Sequence, residues 1–346
     1  MPDGRFHVAL TRDFLNAAGE LAYGDIGLGL FDQTPRVSYG FLDAYAEVVT
    51  PDQIAGADAL VLIYPHVKPE TFAQGAERLT FVGRCGAGYD RIDLEACTRA
   101  DVALLNAPQA MRLPTASAAL MFMLVLGKRL MALDGIVRAG QWDRRAEVQG
   151  IELPGRTLGI VGLGNSGRAL AELVAPFQMR VVAYSPHAEP EVARGLGVAL
   201  VDLDTLLREA DFVCLHCRLT EATRGLIGAR ELALMKSTAY LINMARGPVV
   251  DHAALVAALT ERRIAGAGLD VFYAEPLPAD DPITRLDNVV LAPHWLAGTR
   301  DAFLYAGRTN CEGLLRAAHG ELPDNIVNQE VIERPGFQNK LARFRG

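Results

Sequence analysis

Three ionisable residues stand where apolar runs end. Arg246 closes "LINMA", Glu275 follows "GLDVFYA" and His294 follows "VVLAP". A guanidinium stays charged and its planar fork grips a carboxylate through two parallel hydrogen bonds. An imidazole titrates near working pH and can hand over a proton. A carboxylate beside that ring favours its protonated form and fixes its orientation. Moving a hydride between a nicotinamide and a 2-oxo or 2-hydroxy acid needs these three functions: a cation for the acid group, a proton donor for the carbonyl oxygen, and a partner that tunes the donor. Singly, each residue has a plainer reading, as a strand cap, a loop charge and a turn histidine.

A second chemical feature lies upstream. "GIVGLGNSGRAL" sets Gly162, Gly164 and Gly167 as GxGxxG directly after a strand pattern and before a helical one. In that context the motif predicts a dinucleotide loop. Gly162 permits the tight turn, Gly164 lets the backbone approach a pyrophosphate, and Gly167 lets helix and strand pack closely. The N–H groups of Asn165 and Ser166 open the helix and face the anion. About twenty residues on, a reader of NAD would carry Asp or Glu for the ribose. Here "VVAYSPHAEP" puts Ser185 at that place. Ser185 suits a 2'-hydroxyl or a 2'-phosphate, His187 and Arg218 add positive charge, and Glu189 and Glu191 oppose it, so NAD and NADP both remain open.

The elements that must position these residues follow from periodicity. After Gly155 the strands "TLGIVGL", "RVVAYS", "DFVCLHC", "AYLINMA", "AGAGLDVF" and "NVVLAPH" are interleaved with helices such as "SGRALAELVAPF", "DLDTLLREA" and "HAALVAALTERR". This alternation predicts a doubly wound parallel sheet with ligands at the carboxyl ends of the strands. An earlier series, "RFHVAL", "ADALVLIYP" and "LTFVGRCGAGYD", predicts another parallel sheet. The stretch from Gly19 to Gly40 is read as a long surface loop. A helix is expected over Thr115 to Leu133, followed by a polar connector with Trp142.

With 346 residues, two cores are expected. A net charge of -7 gives no reason to expect a nucleic acid or an anionic membrane as partner. No secretory signal is read at "MPDGRFHVAL", and the longest apolar run, Ala116 to Gly127, is too short to span a bilayer. Five cysteines without a pairing pattern suggest free thiols and a cytoplasmic chain. Cys214 and Cys217 have CxxC spacing but sit in a strand pattern, so they are read as structural, and no metal site is expected.

The motifs "GRCGAGYDRID", "LGIVGLGNSGRAL", "LHCRLTEATRGLIG", "LINMARGPVVD", "GAGLDVFYAEPLP" and "NVVLAPHWLAGT" together resemble the D-isomer-specific 2-hydroxyacid dehydrogenase family, over about residues 80 to 300. The resemblance implies an α/β fold of two doubly wound domains: a Rossmann cofactor domain, residues 109–299, inserted into a flavodoxin-like substrate domain, residues 1–108 and 300–346. It implies that Arg246 clamps the substrate carboxylate and that His294 and Glu275 are the acid/base pair. Ala87 and Gly88 would add backbone N–H groups to the carboxylate, and Trp295 would line the substrate pocket. For NAD or NADP it implies Thr115, Gly162, Gly164, Asn165, Ser166, Gly167, Ser185, Cys217, Arg218, Thr223, Met244 and Ala245, with Asp270 accepting from the nicotinamide carboxamide. An arm around Trp142 resembles the family's dimer interface. The chain departs from the family's frequent Asp, Pro, acidic residue and Arg at Ser185, Arg218, Ser117 and Asn165.

Within that family, Glu275 rather than Gln argues against formate oxidation, and a chain ending at Gly346 lacks the regulatory domain of long phosphoglycerate dehydrogenases. The expected activity is reduction of a small 2-oxo acid such as glyoxylate or hydroxypyruvate. The alternative from another class is a cofactor-sensing, corepressor-like binding protein on the same fold.

Overall fold

A strand buried at every position cannot be one-faced, and Ala59–Leu62, Thr157–Val161 and Phe212–Leu215 are of that kind. In the computed structural model, which describes residues 5–345, the chain forms two units, residues 1–111 with 298–346 and residues 112–297. In the first, β1 (Phe6–Leu10), β2 (Val37–Phe41), β3 (Ala59–Leu62), β4 (Phe81–Arg84) and β5 (Ala103–Leu105) form a parallel sheet in the order β2-β1-β3-β4-β5. This is the flavodoxin-like order. Side chains alternate between two cores: Ala59 and Val61 pack with Phe81, Phe303 and Phe337, while Leu60 and Leu62 pack with Val82 and Leu104. The period of two thus serves two apolar faces at once.

The stretch from Gly19 to Gly40 is not simply a surface loop. It holds a short helix, Gly29–Asp32, and reaches β2, with Ile26 and Phe31 buried in the core that β1 lines. Its glycine content obscured the apolar anchors between the turns.

The C-terminal helix Pro335–Ala342 packs on the same unit through Phe337 and Leu341. Its Lys340 Nζ donates to the carbonyls of Leu79, Ala100 and Asp101 at 2.9, 2.7 and 3.1 Å. Replacing Lys340 with Met leaves these acceptors unmet, and should cost this unit about 2–3 kcal/mol, read from its urea midpoint. An unchanged midpoint would show that solvent reaches the carbonyls.

In the second unit β6 (Thr157–Val161), β7 (Arg180–Tyr184), β8 (Val198–Leu200), β9 (Phe212–Leu215), β10 (Tyr240–Asn243), β11 (Gly266–Leu269) and β12 (Val289–Leu291) run parallel in the order β12-β11-β10-β9-β6-β7-β8. The strand order reverses at β6, which places the dinucleotide crevice of such sheets at its carboxyl end. Cys214 in β9 is buried on the face shared by Leu158 and Ile160, and Val213 and Leu215 serve the opposite face.

One helix expected over Thr115 to Leu133 is in fact two, Arg112–Gly127 and Leu130–Arg138. The break falls at Arg129, whose φ of 54° is left-handed. No apolar signal marks it, because Leu130 and Met131 continue the pattern while lying exposed. No helix is long and apolar enough to cross a membrane among the described residues.

Candidate active site

Sheet order decides which loops meet. β10, β11 and β12 are neighbours, and Arg246, Glu275 and His294 lie on the loops that follow them. His294 Nδ1 lies 2.8 Å from Glu275 Oε2. Glu275 also accepts from the Phe272 N–H at 3.1 Å through its other oxygen. Burial alone would push this carboxyl up. The hydrogen bond and charge of His294, the Phe272 N–H and the Arg246 guanidinium outweigh that and hold it below the usual glutamate range.

The backbone under these groups is specified closely. His294 adopts φ of 53°, left-handed and unusual for a residue with a side chain. Asp270, at the end of β11 and 2% exposed, holds this turn: its Oδ1 accepts from the N–H groups of Trp295 and Leu296 at 2.9 and 3.3 Å. Burial pushes the Asp270 carboxyl up, against the pull of those two N–H groups. On β10, Asn243 shapes the arginine turn, donating to the Arg246 carbonyl at 3.0 Å and accepting from the Ala245 N–H at 3.0 Å. Asn243 was not singled out from the sequence; its signal is a polar residue at the buried end of an apolar strand. Beside Arg246, a Cβ on Gly247 would meet the Phe272 carbonyl carbon at 1.9 Å, so the two main chains touch there.

The glycine turn lies farther along the same sheet edge, after β6. Gly162 has φ of 98°, and a Cβ on it would lie 2.7 Å from the Cys217 backbone. A Cβ on Gly167 would strike the Gly162 carbonyl at 2.3 Å. Gly164, by contrast, has open space before it and caps the helix Asn165–Val174. Two glycines are thus required by packing and the third leaves a backbone cradle free on the ligand side, which fits a diphosphate. Asn165 is exposed and Ser166 partly buried, its Oγ 3.0 Å from His216 Nδ1.

The other expected contacts differ in what they have left to offer. Ser185 follows β7, and its carbonyl accepts from the Ala188 N–H. Arg218 is exposed after β9. Thr223 has its hydroxyl engaged in a turn, donating to the Arg218 carbonyl at 2.6 Å and accepting from the Thr220 N–H at 2.8 Å. Burial pushes the Cys217 thiol up to about 11, so it is no thiolate at neutral pH. The N–H groups of Met244 and Ala245 are taken by the Leu215 carbonyl and by Asn243, and the Ala245 carbonyl accepts from Arg246 Nη1 at 2.8 Å, which leaves the Met244 carbonyl as their backbone contribution. Thr115 is partly buried in the first turns of Arg112–Gly127. Trp295 is 40% exposed. Ala87 and Gly88 belong to the other unit, on the loop after β4, where the Ala87 carbonyl accepts from Asn106 at 2.9 Å. Among the described residues no cluster of three or more His, Cys, Asp or Glu is arranged to hold a metal ion.

Comparison with known proteins agrees with this architecture. Residues 120–295 match the family described as D-isomer specific 2-hydroxyacid dehydrogenase, NAD binding domain. A glyoxylate reductase from Korarchaeum cryptofilum is 40% identical over 293 residues, 83% of this chain and 88% of that protein. Among solved structures, the TT0316 protein from Thermus thermophilus superposes with a TM-score of 0.80 at 31% identity, covering 93% of this chain and 99% of that one. A glyoxylate reductase from Paecilomyes thermophila gives a TM-score of 0.80 at 26% identity, covering 95% of this chain and 100% of the other. The chain belongs to the D-isomer specific 2-hydroxyacid dehydrogenases. More particularly, it is an NAD(P)-dependent oxidoreductase that interconverts a 2-hydroxyacid and a 2-oxo acid, and none of these relatives is named as a binding protein.

Proposed function

We propose that this enzyme works as a reductase of a small 2-oxo acid of the glyoxylate or hydroxypyruvate kind, with Arg246 as carboxylate clamp, His294 as proton donor and Glu275 as the donor's partner. The observation that carries this reading is the 2.8 Å contact between His294 and Glu275, beside a guanidinium on the adjoining strand end. When bound, the reduced nicotinamide supplies the hydride. The protein's own work is to orient the acid group through Arg246, to hold a proton at the His294 ring, and to keep that ring aimed by Glu275. Residues 1–108 and 300–346 are assigned to the substrate and 109–299 to the cofactor, with Ala87 and Gly88 giving further N–H groups to the carboxylate and Trp295 bounding its side chain. Asp270 serves the nicotinamide end; Gly162, Gly164, Asn165, Ser166 and Gly167 serve the diphosphate. The test is loss of reduced-nicotinamide absorbance with a panel of 2-oxo acids; tight dinucleotide binding without turnover on any of them would overturn the reading.

The pH dependence follows from Glu275. The His294 contact holds its carboxyl below the usual range, so it stays ionised beside the ring through the neutral range. Glu275→Gln removes that charge, and the acid limb that it sets should vanish. The carboxylate's contribution is itself lost only as pH falls through its depressed titration, so an acid limb belongs below the usual glutamate range. A profile of kcat/KM against pH that Glu275→Gln leaves in place would refute the pairing.

For the cofactor, Ser185 offers no carboxylate to repel a 2'-phosphate, and both NAD and NADP are admitted. Introducing a carboxylate, Ser185→Asp, should raise the NADPH dissociation constant relative to that of NADH by roughly tenfold. An unmoved ratio would show that another element reads the ribose. We assign the chain to the cytoplasm, as its five free cysteines suggest, and to a homodimer. The helix Leu130–Arg138 buries none of its residues and, with Trp142 at 64% exposure, presents an apolar face of the kind that two copies cover.

A further inference from the structure

We infer that His216 is a positioning residue for the cofactor's diphosphate: it donates from Nδ1 to Ser166 Oγ and thereby turns the Ser166 hydroxyl hydrogen toward the anion at the start of the helix Asn165–Val174. This rests on the dinucleotide reading of the glycine turn.

Chain geometry brings the two residues together. His216 is the residue just beyond β9, and its N–H donates to the Val161 carbonyl at 2.8 Å, at the last residue of β6. The His216–Cys217 peptide is pressed against Gly162, where an added Cβ would meet the His216 carbonyl carbon at 2.9 Å. The ring therefore lies beside the turn itself, and its Nδ1 reaches Ser166 Oγ at 3.0 Å. Ser166 is the second residue of the helix, in the turn whose N–H groups have no intrahelical acceptor. It is partly exposed, so its hydroxyl has a ligand side as well as a histidine side.

Which atom carries the ring proton follows from the other nitrogen. Nε2 is buried and has no partner among the described residues. Burial holds this imidazole neutral, with a pKa lowered to about 4, so one nitrogen carries the hydrogen and the other a lone pair. A hydrogen on Nε2 would be a buried donor without an acceptor, the rarer and costlier kind of orphan. A lone pair there forfeits less. The hydrogen then belongs on Nδ1, and Ser166 Oγ accepts it. A hydroxyl that accepts from one side has its own hydrogen left for the other, where the diphosphate oxygens would lie. The reverse arrangement, Ser166 donating to the ring, would turn oxygen lone pairs toward those negative oxygens. A neutral donor also leaves the cofactor's grip insensitive to pH in the neutral range.

The test uses the full chain with ADP, adenosine and NADH as probes in calorimetry. Ser166→Ala should weaken ADP binding roughly tenfold, as befits one hydrogen bond to a charged group, and leave adenosine unaffected. His216→Phe should do the same in the native background and almost nothing further in the Ser166→Ala background, and His216→Asn, which retains an N–H near the same place, should recover part of the loss. Nitrogen chemical shifts of the labelled native protein should report a protonated Nδ1 on His216, a readout that needs no variant to fold. A hydrogen found on Nε2, or an equal loss from His216→Phe in both serine backgrounds, overturns the inference. Native protein that binds neither ADP nor NADH would remove the dinucleotide reading as well; native protein that binds both, with variants that bind alike, removes this inference alone.

Discussion

Arg246→Ala should lower kcat/KM for a 2-oxo acid by roughly a thousandfold, about 4 kcal/mol, while the dissociation constant for NADH stays within a small factor of its native value. The size follows from what is lost: a two-point, charge-assisted contact to a carboxylate, with the carboxylate left to be desolvated unpaired. The selectivity follows from where the residue sits. Arg246 leaves β10, whereas the glycine turn leaves β6, with β9 lying between them in the sheet. The turn that carries Arg246 is held by Asn243 through backbone contacts, so the truncation does not undo it. Equal losses in turnover and dinucleotide affinity would count against a clamp. Because Arg246 also helps hold Glu275 ionised, a smaller upward movement of the acid limb should accompany the loss.

Removing the proton donor should cost as much. His294→Asn is expected to lower kcat for reduction by roughly two to four orders of magnitude, the range of positioned general acids. Asn is the cleaner replacement because the backbone there is left-handed, with φ of 53°, and Asn tolerates that region where Ala is strained. His294→Ala should therefore lose the same activity and, in addition, about 1 kcal/mol of stability. Dinucleotide binding should survive both. The decisive comparison is with Glu275→Gln: if His294 is the donor, the double variant should be no slower than His294→Asn alone, because Glu275 acts only through the ring. Independent, multiplying losses would mean that the carboxylate has a task of its own.

Much of this was legible in the sequence because a parallel sheet gathers chemistry at one edge. Arg246, Glu275 and His294 each stop an apolar run, and strand adjacency turns that pattern into proximity. The glycines were legible for the same reason: Gly162 and Gly167 are demanded by contacts of 2.7 and 2.3 Å with backbone, which no other residue type could meet. What stayed hidden depends on the direction of side chains rather than their type. Asp270 was read as a cofactor contact, yet one of its oxygens is already committed to the turn that carries His294. Thr223 spends its hydroxyl locally. His216 looked like part of a strand motif, and nothing in "LHC" says that its ring reaches across to Ser166. The break between Gly127 and Leu130 was hidden because exposed Leu130 and Met131 imitate a buried helix face, and apolarity alone cannot say whether solvent or protein covers it.

At Gly247 the α-carbon rests on the Phe272 carbonyl with no room for even a methyl group. The interval between the arginine loop and the glutamate loop is therefore gauged by bare main chain, as a shim sets two machined plates. Residues that shape the substrate's side chain can drift and retune selectivity without disturbing that gauge, whereas the smallest addition at 247 would pry cation and carboxylate apart. The reaction's dimensions are thus insulated from its appetite, which suits a scaffold that must keep one chemistry while trying many acids.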